Sequence, residues 1–388
     1  MANALLRYFA PYNGFMPHAT GQVIGYIRKP EAFTLNQYCQ YVPTPAVKGY
    51  YYYMGRDLPV SLPSVDGNPA TGSADVSVWA GGASRKEPGR ANQAVFTTLG
   101  FETTRRNQSA HVDWLTRDMA ELGGLQLLTF YASALASKNM TLRTKLALDQ
   151  LDNSANWPAG HAQDANTLNN GYGKWSTASD DPNSPFYNAI RRSIMAAVAR
   201  ILLDTNNHVE EKDLVLVIGP DLAQKMQAAP EIVNYVRESP SASEMIEGRH
   251  ENFNARFGLP QYIFGVRLIV EAAAVVAQFD MAAGTTGGIV EATGNRRFLK
   301  NPNSAILLSR PGGLDGIYGA MNYSTLQIYY YDGTEGVGAE SAGPGGLMAV
   351  EAFDDVEDRL TRLHVSENIS VVPPTYTGYS GMLITNCM

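Results

Sequence analysis

The chain has 388 residues and a mass of 42.1 kDa, and 45% of its residues are hydrophobic, which excludes a largely disordered protein and allows two or three compact units. Its 30 basic and 37 acidic residues contain no run of Lys and Arg longer than a pair, which argues against a protein that grips nucleic acid through phosphates. Cys39 and Cys387 form no CxxC pair and are predicted to be reduced thiols of a cytoplasmic protein.

The first segment, residues 1–49, is rich in Pro, Tyr, Gly and Asn and shows little periodicity. It lacks the basic start and uninterrupted apolar core of a signal peptide. Its aromatic residues argue against disorder, because disordered tails usually contain few of them. We expect an extended arm with apolar anchors; the alternative is an irregular layer packed on its own domain. The longest small-apolar run, 272–277, is far below the ~20 residues that span a bilayer, so no membrane segment is expected.

Residues 50–110 have the composition of long strands joined by polar turns. Strand-prone segments at 50–53, 76–79 and 94–101 are separated by stretches rich in Gly and Pro or in charge. The apolar side chains are too few for a separate core, and an isolated hairpin is marginal in water. This predicts a long hairpin loop that packs on a neighbouring surface, including that of another subunit.

Residues 112–151 follow a helical pattern. One apolar face is marked by side chains three, four or seven residues apart: Leu128, Tyr131, Leu135, Leu142 and Leu146. A helix of ~38 residues would be ~57 Å long, which exceeds the width of a small domain. We predict a spine helix that lies across a sheet, with a bend at Gly123-Gly124 and a polar loop after it over 152–184.

The most informative pattern follows this loop. Ser184 is placed to cap a helix over 185–203. Residues 214–221 predict a buried strand and a tight Gly-Pro-Asp turn, and 222–230 and 231–237 predict short helices. Further predicted elements are a helix around 241–257, one or two strands in 262–271, and strands at 305–309, 325–331 and 382–386. The acidic group at 354–358 is predicted to be a solvated face.

No catalytic, cofactor-binding or metal residue is predicted. The histidines are scattered, and none has the i,i+4 spacing that places two ligands on one helix face: His18, His111, His161, His208, His250 and His364. Residues 336–343 miss the third glycine of a phosphate loop, and 378–381 miss the spacing of a nucleophile elbow. Asp221 lies where a doubly wound enzyme keeps catalytic groups, so an α/β enzyme with a site at this turn stays open beside ordinary helix-start chemistry.

Four short motifs point to one family when they are taken in order: Lys174-Trp-Ser176 with Asp180-Asp-Pro182, the strand and turn at 214–221, Ala229-Pro-Glu-Ile-Val233, and Phe264-Gly-Val-Arg-Leu-Ile-Val270. With the aromatic arm, the long hairpin loop and the spine helix before them, they resemble the major capsid proteins of tailed double-stranded DNA bacteriophages, which have the HK-ninety-seven-type fold. In layout, the resemblance covers nearly the whole chain.

The resemblance implies an α+β fold with an N-terminal arm, an extended β-hairpin E-loop, a P-domain with a long spine helix, and an A-domain whose central β-sheet is flanked by helices. The implied division is 1–49 for the arm, 50–110 for the E-loop with adjoining P-domain strands, 111–184 for the spine helix and polar loop, 185–323 for the A-domain, 324–372 for the P-domain return strands with part of the A-domain, and 373–388 for the C-terminal strand. Gly123-Gly124 and the Gly-rich loops are implied hinges.

The resemblance also implies a role in assembly rather than catalysis. Such proteins self-assemble as hexamers and pentamers into an icosahedral shell that encloses the DNA genome without sequence-specific binding, and a mild acidic balance suits that role. The implied location is the virion, with assembly in the host bacterial cytoplasm. Implied partners are other copies of the chain, through the arm and the E-loop, with portal and scaffolding proteins and a possible decoration protein.

Two questions stay open at this point. Some relatives cross-link a Lys of the E-loop, and Lys86 is the only Lys between residues 50 and 110, but no matching motif identifies its partner. Within the same fold, the alternative to a phage capsid is an encapsulin-type shell that encloses an enzyme cargo. No cofactor is implied by either.

Overall fold

The computed structural model describes residues 33–53, 97–122, 126–205, 207–237, 253–254, 258–276, 296–309, 324–331, 348–375 and 377–388. Several sequence predictions lie outside these residues: those for 1–32, for the strand at 76–79, for Lys86, for the bend at Gly123-Gly124, for most of the helix around 241–257, and for 336–343. Among the described helices, none has the length and apolar character to cross a membrane.

The described secondary structure alternates between strands and helices. The strands are β1 Gln40–Thr44, β2 Lys48–Tyr53, β3 Thr97–Glu102, β4 Thr104–Asp113, β5 Ala162–Asp164, β6 Leu214–Ile218, β7 Phe253–Asn254, β8 Leu259–Pro260, β9 Tyr262–Ile263, β10 Val266–Val270, β11 Ala274–Val276, β12 Arg296–Phe298, β13 Ala305–Ser309, β14 Gln327–Tyr331, β15 Met348–Asp355, β16 Leu360–Val371 and β17 Met382–Thr385. The helices are α1 Trp114–Leu122, α2 Leu127–Leu151, α3 Ala165–Leu168, α4 Ala189–Asp204, α5 Pro220–Ala228 and α6 Pro230–Arg237. A 3-10 helix, Thr34–Gln37, precedes β1.

The centre of the fold is a mixed six-stranded sheet with the order β5-β17-β13-β6-β10-β9. β6 is parallel to β10 and antiparallel to β13, and the C-terminal strand β17 lies between β13 and β5. All five side chains of β6 are buried. A continuous apolar run is what a strand needs when both of its faces are covered. The predicted buried strand at 214–218 is therefore confirmed.

The two faces of this sheet belong to different hydrophobic cores. Leu214, Leu216 and Ile218 pack in a first core with α4, α5 and α6. Val215 and Val217 pack in a second core with the end of α2 and the 3-10 helix. Successive side chains of a strand point to opposite faces of the sheet, so β6 is a layer that both cores share.

A second sheet has the order β1-β14-β16-β15, and β4 pairs with the opposite edge of β16. Helix α2 lies on this sheet, where Leu135 and Met140 pack with Leu363 and Val365 in a third core. β15 and β16 form a hairpin whose turn lies beside the end of β4, since the last residue of β4 pairs with the first of β16. A separate two-stranded ribbon is formed by β2 and β3.

The prediction of one helix over 112–151 is wrong in its extent. Residues 112 and 113 end β4, because they pair with β16, and α1 and α2 are separate helices. The 25 residues of α2 span ~37 Å at 1.5 Å per residue, not ~57 Å. Leu115 and Met119, from the first part of the predicted apolar stripe, are 47% and 37% exposed, so they lie outside the described cores.

Residues 33–44 of the predicted arm belong to the body of the molecule. Phe33, Leu35 and Tyr38 are buried, and β1 pairs in parallel with β14 along its whole length. Burial of one large apolar side chain stabilises a fold by ~1.5–3 kcal/mol, which explains why this segment packs on its own chain. The alternative of a layer packed on its own domain describes these residues, and an extended arm remains a prediction for 1–32.

The helix predicted over 185–203 begins later than expected. α4 starts at Ala189, and Asn188 before it has a left-handed backbone with φ of 54°. The hydroxyl of Ser184 accepts a hydrogen bond from the backbone N–H of Phe186, so it closes a turn instead of capping the helix. The prediction that Ser184 caps this helix is therefore wrong, because the turn that it closes ends before α4 starts.

Two other local predictions also differ from the structure. The polar loop over 152–184 contains β5, α3 and two buried tryptophans, Trp157 and Trp175. Residues 253–254 form a strand that pairs with 259–260, although they were assigned to a helix. In both places tertiary contacts override a local composition that is polar or helical.

The remaining predicted elements that fall on described residues are confirmed to within a residue or two: α5, α6, β9, β10, β13, β14 and β17. α5 begins with Pro220 at its first position after Gly219, as expected for a residue whose missing N–H is not needed there. An added Cβ on Gly219 would lie 3.3 Å from Cγ of Lys300, which is tighter than ordinary van der Waals contact, so a larger residue there would need Lys300 to shift.

We expect Leu216→Ala to lower the free energy of unfolding by about 2–5 kcal/mol, because it removes a fully buried side chain from the strand shared by two cores. Leu203→Ala is the matched control, since Leu203 is 69% exposed and should change stability by no more than about 0.5 kcal/mol. Urea denaturation of the unassembled subunit measures both. Equal losses in the two variants would contradict the two-core description of β6.

Candidate functional site

The residues considered for chemistry in the sequence do not converge in space. Asp221 is exposed in the first turn of α5, where a carboxylate interacts favourably with the helix dipole. Ser380 is buried; its hydroxyl is 2.9 Å from Thr325 Oγ1 and donates to the carbonyl oxygen of Thr377. Within the described ranges, no group of three or more His, Cys, Asp or Glu side chains is arranged to hold a metal ion.

His161 has surroundings that resemble a catalytic dyad. Its Nε2 lies 2.9 Å from Oδ2 of Asp204, and its Nδ1 lies 2.7 Å from the carbonyl oxygen of Gly381. Oδ2 of Asp204 is also 2.7 Å from Nε of Arg200. The His161 and Asp204 side chains are fully buried. Because both ring nitrogens already have partners, the ring has no nitrogen available to a nucleophile. The cluster joins the 152–164 segment, the end of α4 and the C-terminal segment.

Glu231 of α6 caps a helix that is remote from it in sequence. Its two carboxylate oxygens accept hydrogen bonds from the backbone N–H groups of Ile190 and Arg191, at 3.0 and 2.8 Å. These are donors of the first turn of α4, whose own preceding residue provides no side-chain cap. Burial raises the pKa of Glu231, and the two backbone hydrogen bonds oppose that rise.

Arg143 of α2 and Glu367 of β16 form an ion pair with both side chains fully buried. Nη2 and Nε of Arg143 donate to Oε2 of Glu367 at 2.6 and 3.1 Å. The guanidinium also lies 5.5 Å from the ring centroid of Tyr41 in β1. Burial lowers the pKa of Arg143, but the Glu367 carboxylate and Tyr41 raise it, and the net shift is upward. The pair connects the spine helix to two strands of the second sheet.

Lys300 connects the end of α2 to the loop before β13. Its Nζ lies 2.6 Å from Oδ1 of Asp152 and donates to the carbonyl oxygen of Ser304 at 3.0 Å. The hydroxyl of Ser304 donates to the same carboxylate oxygen at 2.6 Å. Burial lowers the pKa of Lys300, and the Asp152 carboxylate opposes this shift. With Gly219 packed against it, Lys300 supports the turn between β6 and α5.

Sequence reasoning missed all of these polar clusters. A signal was available for one of them: Arg143 lies at helical spacing from buried positions of α2, namely Asn139, Ala147 and Leu151. A charge on the buried stripe of a helix indicates a buried partner. The partner could not be identified, because Glu367 is 224 residues away in the chain.

The hairpin of β15 and β16 presents both exposed charged and exposed apolar side chains. Asp354, Glu357 and Asp358 are exposed, which confirms the predicted solvated face. Phe353 and Val356 are 54% and 73% exposed and line the same shallow depression. Exposed apolar side chains that lie together often mark an interaction site.

A second exposed surface combines arginine and aromatic side chains. The guanidinium carbon of Arg192 lies 3.5 Å from the ring centroid of Tyr172, and that of Arg191 lies 5.7 Å from the ring of Phe264. Tyr235 contacts the same phenyl ring and is 42% exposed. Tyrosine and arginine are enriched at protein interfaces. The composition of this surface is therefore that of an interaction site.

No family model matches the chain, and no curated protein matches it. Among solved structures, the chain is similar to the capsid structure of the cyanophage P-SCSP1u, with 9% identity and a TM-score of 0.51 over 94% of this chain and 90% of that chain. The chain has the fold of a phage capsid protein. The implied mixed α and β architecture is therefore confirmed at the level of the fold.

Two further solved structures are similar to the chain, each with a TM-score below 0.5. A phage-related protein from Bordetella bronchiseptica RB50 has 13% identity and a TM-score of 0.48, with 97% of this chain and 96% of that chain covered. The mature capsid of bacteriophage PhiM1 has 10% identity and a TM-score of 0.48, with 94% and 89% covered.

We expect Arg143→Met to lower the free energy of unfolding by about 3–5 kcal/mol, because it leaves the Glu367 carboxylate buried without its partner. The double variant Arg143→Met with Glu367→Leu should recover most of that loss, since it removes both buried charges. Denaturation of the unassembled subunit measures both variants.

The matched control is Lys145→Met on the same helix, whose pair with Asp149 is exposed and should contribute less than about 1 kcal/mol. If the double variant is as unstable as Arg143→Met alone, the expectation is contradicted. The pair would then stabilise the fold by more than the neutralisation of one buried charge by the other.

Glu231 should make stability depend on pH. A carboxyl group whose folded-state pKa is raised contributes stability that is complete below its unfolded pKa and is lost as the pH rises through the folded pKa. We therefore expect the free energy of unfolding of the wild type, relative to Glu231→Gln, to fall as the pH rises above 4.5, the ordinary value for Glu. Urea titrations at several pH values measure this difference. A difference that grows with pH would show that the backbone hydrogen bonds outweigh burial.

Proposed function

We propose that this chain is the major capsid protein of a tailed double-stranded DNA bacteriophage and assembles as hexamers and pentamers into an icosahedral shell. The observation that carries the proposal is the likeness of fold to a phage capsid structure over 94% of the chain. A likeness over 94% of the chain supports the proposal more strongly than any one short motif would.

The implied subdomains fit the described elements, and we propose them on that basis. The A-domain would contain the six-stranded sheet with α4, α5 and α6. The P-domain would contain α1, α2 and the sheet of β4, β15 and β16. The C-terminal strand, residues 373–388, would belong to the A-domain in function, since β17 pairs with β13. Residues 1–32 would form the free part of the arm.

The ribbon of β2 and β3 supports the proposed E-loop. Its strands pair from Lys48 opposite Glu102 to Tyr53 opposite Thr97, so residues 54–96 leave and return at one point of the body. A loop of this length with its ends together is suited to reach over a neighbouring subunit. In a ring of identical subunits such contacts are heterologous and repeat by symmetry, so many moderate contacts stabilise the shell.

The proposed shell encloses DNA without binding it tightly. A net charge of −7 disfavours tight binding of phosphates. Portal and scaffolding proteins, and a possible decoration protein, are the partners such a shell would use, with assembly in the host bacterial cytoplasm and residence in the virion. The proposal assigns the chain no catalytic activity and no cofactor. The alternative is a shell of the same fold that encloses an enzyme cargo. The contents of purified particles, either DNA or an enzyme, distinguish the two.

Expression of the chain should give particles of megadalton mass with icosahedral symmetry in negative-stain electron microscopy. Replacing residues 54–96 by Asn-Gly, a turn suited to a two-residue hairpin, should leave a folded subunit that forms no closed shell. The reason is that the replacement keeps the paired ribbon of β2 and β3 but removes the part proposed to reach a neighbour.

The matched control replaces 54–96 by a Gly/Ser segment of equal length, which keeps the tether and removes the side chains. It should also fail to close a shell. Small oligomers of the wild type would contradict the proposed function, and so would shells formed by the Asn-Gly variant. Unfolding of the Asn-Gly variant would instead show that 54–96 packs on its own subunit.

A further inference from the structure

Four buried polar atoms between helix α2 and the second sheet have no hydrogen-bond partner among the described residues. Two of them are donors and two are acceptors. We call these atoms the polar quartet: Nη1 of Arg106, Oδ1 of Asn139, Nη1 of Arg143 and Oε1 of Glu367. A buried polar atom loses the hydrogen bonds that solvent makes to it in the unfolded chain, so each member of the quartet destabilises the fold unless something binds it.

The quartet surrounds one carboxylate. Glu367 accepts two hydrogen bonds from Arg143 through Oε2, so Oε1 is the acceptor that remains. Arg106 of β4 is directly opposite Glu367 in the strand register. Residues in such a pair have their side chains on the same face of a sheet, which here is the face that α2 covers. Arg106 and Glu367 form no ion pair within the described part of the chain, so a gap separates the second guanidinium from the carboxylate.

Asn139 completes the quartet from the helix. It lies one turn before Arg143 on α2, and its Nδ2 donates to the carbonyl oxygen of Val365 at 3.1 Å. Val365 is two residues before Glu367 on β16, so the amide lies beside the carboxylate. The bond to Val365 fixes which end of the amide is the donor, and Oδ1 is left as a buried acceptor. Asn139, Arg143 and Glu367 are all buried, so bulk solvent does not reach them.

The chemistry of the quartet determines what can bind there. The ligand must accept hydrogen bonds from two guanidinium groups and donate hydrogen bonds to a carboxylate and an amide oxygen. A halide ion can only accept, and it would face both oxygens. A cation would face two guanidinium groups at a site that already has one more positive charge than negative. A water molecule meets both requirements, because it accepts and donates.

We propose that a single water molecule is bound at the polar quartet and joins α2 to β4 and β16. Its oxygen accepts hydrogen bonds from Arg106 and Arg143. Its two hydrogens are donated to Asn139 and Glu367. Buried waters typically make about three such bonds to polar groups that otherwise have no partner, and they are costly to remove. The inference is independent of the proposed function, since it concerns contacts within one subunit.

A high-resolution density map of the crystallised subunit tests the site directly. We expect one peak, with the height of a water oxygen, at about 2.7–3.2 Å from all four atoms of the quartet. A crystal soaked in bromide distinguishes an anion, because a bound halide would give an anomalous peak at the same place. That anomalous peak would overturn the inference, and so would a direct contact of Arg106 with Glu367 that leaves no room for a peak.

Magnetic relaxation dispersion of solvent deuterium and oxygen-17 counts slowly exchanging internal waters in solution. The double variant Arg143→Met with Glu367→Leu removes two of the four partners and both charges of the buried pair. Its count should be lower than that of the wild type by one water. The matched control is Arg105→Met, because Arg105 is exposed and neighbouring residues of a strand point to opposite faces. Its count should equal that of the wild type.

A further variant keeps the test decisive if the double variant does not fold, which urea denaturation shows. Arg106→Met removes one donor of the quartet from a side chain that is only partly buried. It should shorten the residence time of this water by about tenfold or more, since a hydrogen bond from a charged group is lost. An unchanged count in the folded double variant contradicts the water site. An equal loss in Arg105→Met contradicts it as well.

Discussion

Burial of both faces of one strand is the constraint on which the rest of this structure depends. β6 contributes Leu214, Leu216 and Ile218 to one core and Val215 and Val217 to another. The second core also contains Ile328 and Ile369 from the other sheet, so the two sheets cannot separate without exposing apolar surface. The helices α4 to α6 and the end of the spine helix are therefore held in one body.

Buried polar pairs determine how the elements are joined around these cores. Arg143 with Glu367, Lys300 with Asp152, and His161 with Asp204 each connect segments that are remote in sequence. Desolvation makes such pairs expensive, so they add little net stability, but a misplaced element would leave a buried charge without a partner. The pair of His161 with Asp204, which resembles a catalytic dyad, therefore helps to fix the relative positions of the segments that it connects. The proposed shell would need this uniformity, because an error of shape in the subunit would repeat in every contact.

Two elements of the described surface have features of interaction sites. The ribbon of β2 and β3 opens at Tyr53 and Thr97, and the hairpin of β15 and β16 presents carboxylates with Phe353 and Val356. Association through such elements lets subunits join in more than one arrangement while the body stays rigid, which the proposed hexamers and pentamers require.

The sequence by itself determined what depends on local order: the buried strand at 214–218, the Gly-Pro start of α5, the strands near 305, 327 and 382, and a layout that resembles phage capsid proteins. Periodicity and turn chemistry involve residues only a few positions apart, so a short stretch of sequence is enough to predict these elements. Only the tertiary structure decided that residues 40–44 pair with β14, that residues 112 and 113 end a strand and do not start the spine helix, and which charges pair. Those outcomes depend on partners hundreds of residues away, such as Glu367 for Arg143, and no local pattern encodes the distance between them.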